Sequence, residues 1–284
     1  MRVPSYFDSL IELCRRDPSQ RTAHLGFWDP PPPPGETSAP GEHSAQRFAL
    51  AQHRLDERLL ALADLRPDNV VLDVGCGLGG TLDTINEREV RVVLCGLNSD
   101  PRQLALCRQL VARSGNRFVW VAADACALPF AAHRFDRLLC VEAMFHFSSR
   151  RRFMTEAARV LRASGVLVAS DLIVSAAARA FDGPSFPIRR VLDEGYGPWP
   201  DFWGEEGGHH GLAREAGLHC SVLEDVSEQV RPSHRFTAPG GITLREALAS
   251  PAAGPAARAA LMLKWLHDEG HLRYVLLRLE PAAR

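Results

Sequence analysis

The chain of 284 residues contains a single lysine, Lys264, although 33 of its residues are basic. It therefore lacks the P-loop signature, in which a lysine after a glycine-rich loop binds phosphate. Acidic and basic side chains nearly cancel, at a formal net charge of −1, so the protein has no strong positive field to attract nucleic acid. We expect no nucleic-acid partner.

The cysteines also exclude several classes of protein. There are seven of them, scattered along the chain, and no two have the C-x-x-C spacing of zinc and redox sites. This usage favours a reducing compartment. No apolar run approaches the ~18 to 20 residues of a membrane helix, and the N-terminus has no apolar core of signal-peptide length. We expect a cytoplasmic protein with no membrane partner and no metal site, while its oligomeric state stays open.

Short apolar runs alternate with helix-like stretches through most of the chain. This pattern predicts an α/β fold with a parallel sheet covered by helices on both faces. The carboxyl ends of the first five strands are expected near residues 74, 98, 124, 142 and 171. The predicted strands are 70–74, 92–97, 118–122, 138–141, 166–169, 218–224 and 273–279, and helices are predicted over 45–64, 101–114 and 151–162.

Composition divides the chain further. Residues 1–66 form an N-terminal cap segment and helix, in which Pro30 to Pro34 make a stiff spacer. Residues 67–284 form the core. Within the core, 175–211 is rich in aromatic residues, glycine and proline and is expected to be a lid over the site, and 230–270 is expected to be a helical insertion.

A glycine-rich turn follows the first strand, at Gly75-Cys76-Gly77-Leu78-Gly79-Gly80. Such a turn before a helix presents backbone N–H groups to a ligand, and its spacing also fits the dinucleotide pattern G-x-G-x-x-G. Asp73 favours another ligand, because a carboxylate at the mouth of the turn would repel a pyrophosphate and attract a cation. S-adenosylmethionine (SAM) is the cationic nucleotide cofactor. The alternative is that Asp73 only caps the turn.

Polar residues also follow the second and third strands. Asn98 stands 23 residues after Gly75, where a ribose-binding side chain is expected, with Asp100 as a substitute. A turn-forming role for residues 99–101 is the alternative. Asp124 and Ala125 could bind the adenine amino group and a ring nitrogen, although a loop aspartate needs no ligand.

Five segments taken together resemble class I SAM-dependent methyltransferases, strongly over residues 67–175. They are VLDVGCGLGGT, GLNSDPRQLALCR, AADACALPF, RFDRLLCVEAMFHF and ARVLRASGVLVASD. The closest subgroup looks like the bacterial natural-product methyltransferases, including rebeccamycin-type sugar O-methyltransferases, and HLGFWD looks like the cap of that subgroup. Asn98 replaces the usual acid of the family. The resemblance implies a Rossmann-like seven-stranded sheet of order 3-2-1-4-5-7-6 with strand seven antiparallel, and SAM as cofactor. The residues expected at the cofactor are Asp73, Gly75, Gly77, Gly79, Asn98, Asp124, Ala125, Val141 and Trp28.

His146 and Asp171 are the candidate catalytic residues. His146 follows strand four and Asp171 ends strand five, and neighbouring parallel strands open into one crevice. A histidine oriented by a carboxylate is a suitable general base for a hydroxyl nucleophile, and the subgroup is similar in having a histidine and an aspartate there for O-methylation. The alternatives are a packed loop histidine and a helix-capping aspartate.

These residues predict SAM-dependent O-methylation of a sugar or phenolic hydroxyl on a small natural product, the aromatic or glycosylated partner. Aromatic side chains are expected to line the substrate pocket, although they could equally pack the lid onto the sheet. One alternative is C-methylation of an electron-rich alkene or aromatic carbon, and another is a SAM-binding protein without catalysis that acts in interactions. The candidate substrate residues are Phe145, Tyr196, Trp199, Phe202 and Trp203.

Overall fold

The computed structural model describes residues 6–31, 42–205, 207–250 and 252–282. Pro32 to Pro34 of the predicted spacer lie outside this part of the chain. Two helices, α1 (Tyr6–Arg16) and α2 (Glu42–Ala63), precede the sheet. Within the described residues, no helix has the length and apolar character needed to cross a bilayer.

One twisted sheet organises the described part of the chain. Its strands are β1 (Val70–Val74), β2 (Val93–Asn98), β3 (Arg117–Ala122), β4 (Phe135–Val141), β5 (Leu161–Ser175), β6 (Trp203–Gly204), β7 (Leu218–Asp225) and β8 (Leu272–Pro281).

The strand order is β3-β2-β1-β4-β5-β8-β7, and β8 runs antiparallel to both β5 and β7. The predicted order is therefore confirmed. The added two-residue strand β6 pairs with the end of β5 and shifts the numbering of the last two strands by one.

The helices follow the predicted alternation. They are α3 (Gly80–Arg88), α4 (Pro101–Cys107), α5 (Arg150–Val160), α6 (Ile188–Tyr196), α7 (Gly208–Glu215), α8 (Ser227–Val230), α9 (His234–Thr237), α10 (Leu244–Ala249) and α11 (Pro255–Asp268). α4 begins with Asp100 as N-cap and Pro101 in its first turn, which is a standard start signal, but it is half as long as predicted.

Two apolar layers cover the sheet, one on each face. On β5, Val168 and Leu172 face the layer formed with α2, α3, α6 and α11, whereas Ala169 and Ile173 face the layer formed with α5 and α7. This alternation is the period of two that a strand imposes. It also fixes the face to which each polar residue of β5 belongs.

The prediction that Asp171 ends strand five is wrong. β5 continues to Ser175, because β8 pairs with it from Leu279 opposite Leu167 as far as Leu272 opposite Val174. Asp171 lies within this ladder, opposite Val275.

The predicted domain division stays a prediction. The structure places α1 and α2 in residues 1–66, and a 3-10 helix (Ala176–Ala180), α6, β6 and the start of α7 in 175–211. It places α9, α10 and α11 in 230–270. The aromatic segment is thus not one regular element, as its glycines and prolines indicate.

Candidate active site

The glycine turn leaves an open space at the carboxyl end of β1. Gly75 has a φ of +83° and Gly79 a φ of +84°, which side chains rarely adopt. A Cβ at Gly75 would also lie 2.4 Å from the Cβ of Ala143, whereas a Cβ at Gly77 would meet no atom within 4 Å. The turn therefore needs glycine at Gly75 for packing, and at Gly77 it borders free volume that a ligand can fill.

Asp73 is a buried carboxylate beside this turn. It is 2% exposed, and its Oδ1 is buried without a hydrogen-bond partner among the residues that the structure describes. Burial, together with the charge of Asp56, raises the pKa of Asp73 to about 7, against an opposing effect of His24. The N-cap of α3 is Gly79, so Asp73 does not cap that helix. A buried carboxylate oxygen without a donor fits a ligand ammonium group.

Asn98 ends β2 next to the turn. Its Nδ2 donates to Gln103 Oε1 at 2.5 Å and to the Gly77 carbonyl at 3.3 Å, and it is 7% exposed. Asp100, the substitute considered above, accepts from the backbone N–H of Arg102 at 2.9 Å as the N-cap of α4 and pairs with the Arg102 guanidinium. The structure thus gives Asp100 a capping role and leaves Asn98 at the edge of the turn.

The remaining strand-end residues lie along the same edge of the sheet. Asp124 is exposed after β3, and its Oδ1 accepts from the Cys126 N–H at 2.8 Å, while Ala125 is buried. Val141 is half-buried at the end of β4. Because β3, β2, β1 and β4 are successive neighbours, their carboxyl ends form one continuous edge.

Trp28, the remaining residue expected at the cofactor, makes its contacts with the short helices after β7, and its role at the cofactor stays a prediction. Its indole Nε1 donates to Ser233 Oγ at 2.9 Å, and its ring stacks on Phe236 at 5.1 Å between centroids. The ring is 4% exposed. It packs the cap segment against the short helices after β7, which sequence spacing could not indicate.

The cap segment does bring another residue to the cofactor edge. His24 contacts Asp56 at 3.3 Å, and Asp56 also accepts from the Thr81 hydroxyl at 2.9 Å. Burial alone would lower the pKa of His24, but Asp56 and, more weakly, Glu142 raise it to about 9. A protonated His24 therefore offsets part of the negative charge near Asp73.

His146 lies in a 3-10 helix (Met144–His146) just after β4. Its Nε2 is 3.2 Å from the hydroxyl of Tyr6 on α1, and its Nδ1 is buried without a hydrogen-bond partner in the described part of the chain. Burial lowers the pKa of His146 to about 4, so the ring is neutral at neutral pH. The Pro198 carbonyl opposes part of this fall, although no hydrogen bond of normal geometry joins it to the ring.

Asp171 does not orient His146, which corrects the predicted pair. Asp171 is fully buried and binds Arg150, with Nε to Oδ2 at 2.7 Å and Nη2 to Oδ1 at 3.2 Å. His209 Nε2 is 2.8 Å from the same Oδ2. Burial would raise the pKa of Asp171, but Arg150 and His209 lower it below its usual range. The physical reason is the pleat of β5, which directs Asp171 to the face of α5 and α7.

Arg150 ties this ion pair to the aromatic segment. Its Nη1 donates to the Asp201 carbonyl at 2.6 Å, and its backbone N–H donates to Asp201 Oδ2 at 2.9 Å. A cavity of about 370 Å³ opens beside Arg150, His209 and Trp203. Through Arg150, Asp171 therefore helps to anchor the chain after α6 at Asp201.

Aromatic side chains of the predicted lid reach the region of His146. Phe145 packs on Trp199 at 4.5 Å between centroids, and Trp199 packs on Phe202 at 5.4 Å. Tyr196 meets the ring of Tyr6 edge-on at 5.2 Å. Four of the five predicted substrate residues are thus grouped around His146. The fifth, Trp203, contacts Phe202 and lines the cavity beside Arg150.

Sequence reasoning missed Tyr6 and gave Glu142 no role. Glu142 follows β4 with a φ of +46°, an uncommon conformation for a residue with a side chain. Its Oε1 accepts from the Leu25 N–H at 2.6 Å and from the Tyr274 hydroxyl at 2.8 Å. No local pattern could place Tyr6, Leu25 or Tyr274 there, because they lie 117 to 140 residues from their partners.

Comparison with known proteins gives the family. A family described as "Methyltransferase domain" matches residues 72–169, which span β1 to the middle of β5. Methyltransferase GfsG of Streptomyces halstedii is 32% identical over 235 residues, covering 81% of this chain and 77% of that relative. The chain belongs to the class I SAM-dependent methyltransferases.

One further relative of this methyltransferase and one solved structure with its fold extend the comparison. The 27-O-demethylrifamycin SV methyltransferase of Amycolatopsis mediterranei is 31% identical over 224 residues, covering 74% of this chain and 71% of the relative. Geranyl diphosphate C-methyltransferase of Streptomyces coelicolor A3(2), solved with Mg²⁺, geranyl diphosphate and S-adenosyl-L-homocysteine, has the same fold. Its TM-score is 0.70 at 14% identity, with 99% of this chain and 100% of that one covered. The methyltransferase thus resembles bacterial natural-product methyltransferases, and it shares its fold with a C-methyltransferase.

Proposed function

We propose that this methyltransferase transfers a methyl group from SAM to a hydroxyl group of a small natural product, a sugar or a phenol, with His146 as the general base. Two buried polar atoms support the proposal, because neither His146 Nδ1 nor Trp199 Nε1 has a partner within the described residues. Both rings pack on Phe145. An oxygen-bearing substrate would satisfy them, since a buried polar group without a hydrogen bond is costly.

The cofactor is proposed to bind along the carboxyl edge of β1 to β4. Bound SAM supplies an electrophilic methyl group on a sulfonium. Asp73 would bind the ammonium group, and Gly75, Gly77 and Gly79 would allow the backbone to approach. Asn98 would bind the ribose hydroxyls, and Asp124 and Ala125 the adenine. Val141 would pack beside it. The orphaned Oδ1 of Asp73 is the observation of this chain that fits such a ligand.

His146 suits the removal of a proton from a hydroxyl group. It is neutral at neutral pH, because burial lowers its pKa to about 4. A low pKa weakens a base, but an uncharged ring can accept a proton as the hydroxyl loses it to methylation. Phe145, Tyr196, Trp199 and Phe202 supply the apolar wall against which a planar or largely apolar substrate would lie.

The experiment that tests the function uses the full chain, SAM with a labelled methyl group, and a panel of hydroxylated aromatic, glycosylated and macrocyclic compounds. We expect a product one methyl group heavier, with NMR placing the methyl on oxygen. His146→Ala should lower turnover ~10²- to 10⁴-fold with binding of S-adenosylhomocysteine unchanged.

His210→Ala is the matched control, because His210 is an exposed histidine on α7. It should keep full activity. A methyl group on carbon would replace the proposal by C-methylation. Cofactor binding with no methylated product across the panel would favour an interaction protein, and unchanged turnover in His146→Ala would remove His146 from the mechanism.

A further inference from the structure

His146 needs a group that holds its ring, and the predicted one is absent. A histidine base works when its second nitrogen is bound by a group that fixes the ring orientation and the tautomer. Asp171 cannot do this, because both its oxygens bind Arg150 and one also binds His209. The atom found at the second nitrogen is the hydroxyl oxygen of Tyr6, 3.2 Å from His146 Nε2.

Tyr6 is held firmly enough to serve this purpose. Its ring packs on Phe7 at 4.4 Å and meets Tyr196 edge-on at 5.2 Å between centroids. The helix that carries it, α1, buries Ile11 and Cys14 against Leu78 of the glycine turn and Leu106 of α4. Arg102 adds a hydrogen bond to Asp8 of α1 at 2.7 Å. The Tyr6 hydroxyl is therefore placed by a packed helix.

The two ring nitrogens of His146 divide the work. For Nδ1 to accept a proton, the neutral ring must carry its hydrogen on Nε2, and Nε2–H then donates to the Tyr6 oxygen. Nδ1 keeps its lone pair and, in this structure, has no hydrogen-bond partner among the described residues. We infer that Tyr6 is the positioning residue of His146 and holds it in the Nε2–H tautomer with Nδ1 directed to the acceptor hydroxyl. This inference rests on the proposed role of His146 as base.

A tyrosine in this place differs chemically from the expected carboxylate. A carboxylate would stabilise the protonated ring and strengthen the base, whereas a neutral hydroxyl holds the ring in place without adding charge. Among the residues that the structure describes, no carboxylate is hydrogen-bonded to the ring. The Tyr6 contact also makes the orientation of the base depend on α1, which lies 140 residues away in the sequence from the group that it orients.

Tyr6→Phe tests the inference, because it removes the hydroxyl and keeps the ring that packs α1. The loss of one hydrogen bond, about 0.5 to 1.5 kcal/mol, corresponds to a fall in kcat of about 2- to 13-fold. KM and the affinity for S-adenosylhomocysteine should stay within about twofold. Glu12→Gln is the control, since Glu12 lies exposed on the same helix α1 and pairs with Arg16. It should leave kcat unchanged.

A second measurement needs no turnover. In the full chain labelled with ¹⁵N-histidine, the ring nitrogen shifts of His146, assigned with His146→Gln, should show hydrogen on Nε2. Tyr6→Phe should shift the balance toward the Nδ1–H tautomer, and Glu12→Gln should not.

Several outcomes would overturn the inference. An Nδ1–H tautomer in the native chain would place the hydrogen toward Pro198 and leave Tyr6 as a donor. A rise in kcat or a fall in KM in Tyr6→Phe would mean that Tyr6 occupies the position of the acceptor. If His146→Ala lost activity while Tyr6→Phe kept the native kcat and tautomer, His146 would remain the base but Tyr6 would not be its positioning residue. Full activity in His146→Ala would instead contradict the proposed function itself.

Discussion

The cleft at the carboxyl edge of the sheet has two parts of opposite electrostatic character, one around the glycine turn and one around His146. Around the glycine turn, the buried carboxylates Asp73 and Asp56 lie near one histidine, His24, whose pKa is raised to about 9. Around the 3-10 helix after β4, aromatic rings surround His146, whose pKa is lowered to about 4. The first part suits a cationic ligand and the second an uncharged one. One sheet edge can therefore offer separate sites to a cationic cofactor and to an uncharged acceptor.

After His146→Ala, the largest effect is expected from Asp171→Asn, which should lower the free energy of unfolding. Removing the carboxylate leaves the Arg150 guanidinium buried without its charge partner, which typically costs about 3 to 5 kcal/mol of unfolding free energy. Chemical denaturation monitored by circular dichroism measures this loss. Asp68→Asn, which breaks an exposed pair with Arg91, should leave the midpoint nearly unchanged. If Asp171→Asn kept full stability but lost turnover, Asp171 would act in catalysis rather than in stability.

Asp73→Asn should weaken the binding of S-adenosylhomocysteine. A hydrogen bond to a charged group is worth about 1.5 to 3 kcal/mol, so the Kd should rise about 10- to 150-fold in isothermal titration calorimetry. The stability of the free protein should not fall, because an unpaired buried carboxylate is removed. Asp68→Asn, at an exposed aspartate just before β1, is the control. Equal affinities in the two variants would contradict a cationic ligand at Asp73.

The pH dependence of cofactor binding should report the ionisation of Asp73. The pKa of Asp73 is raised to about 7 in the free protein, and an ammonium group binds the ionised form. Affinity for S-adenosylhomocysteine should therefore increase as the pH rises through 7, by about tenfold between pH 6 and pH 8, and level off above. Proton release on binding at pH 6 checks the same linkage in buffers of different ionisation enthalpy. In Asp73→Asn the increase should disappear.

Much of the fold, and the grouping of the candidate cofactor residues along one sheet edge, could be predicted from the sequence, because the signals are local. An apolar run followed at once by Asp73 and the glycine turn fixes the end of β1 within a few residues. The same holds for Asn98 at the end of β2 and Asp124 after β3. Parallel pairing then brings these ends to one edge whatever the details of the helices.

The surroundings of His146 could not be predicted to the same extent, since contacts between distant segments of the chain determine them. The length of β5 depends on β8, which pairs with it about a hundred residues later. The pleat of β5 directs Asp171 to Arg150 and His209, so the expected pair with His146 does not form. The contact of Tyr6 with His146 and the packing of Trp28 on Phe236 likewise join segments that no spacing rule connects.

The attachment of the cap segment limits how molecules can enter and leave the cleft. The Ser233 hydroxyl accepts from the Gly26 N–H and from the Trp28 indole, each at 2.9 Å, and the Leu25 N–H is bound to Glu142. Residues 24–28 are thus fastened to two separate parts of the protein and cannot swing aside without breaking both attachments. Ligands therefore have to enter past another part of the wall, and α1, whose Tyr6 contacts His146, forms one side of it.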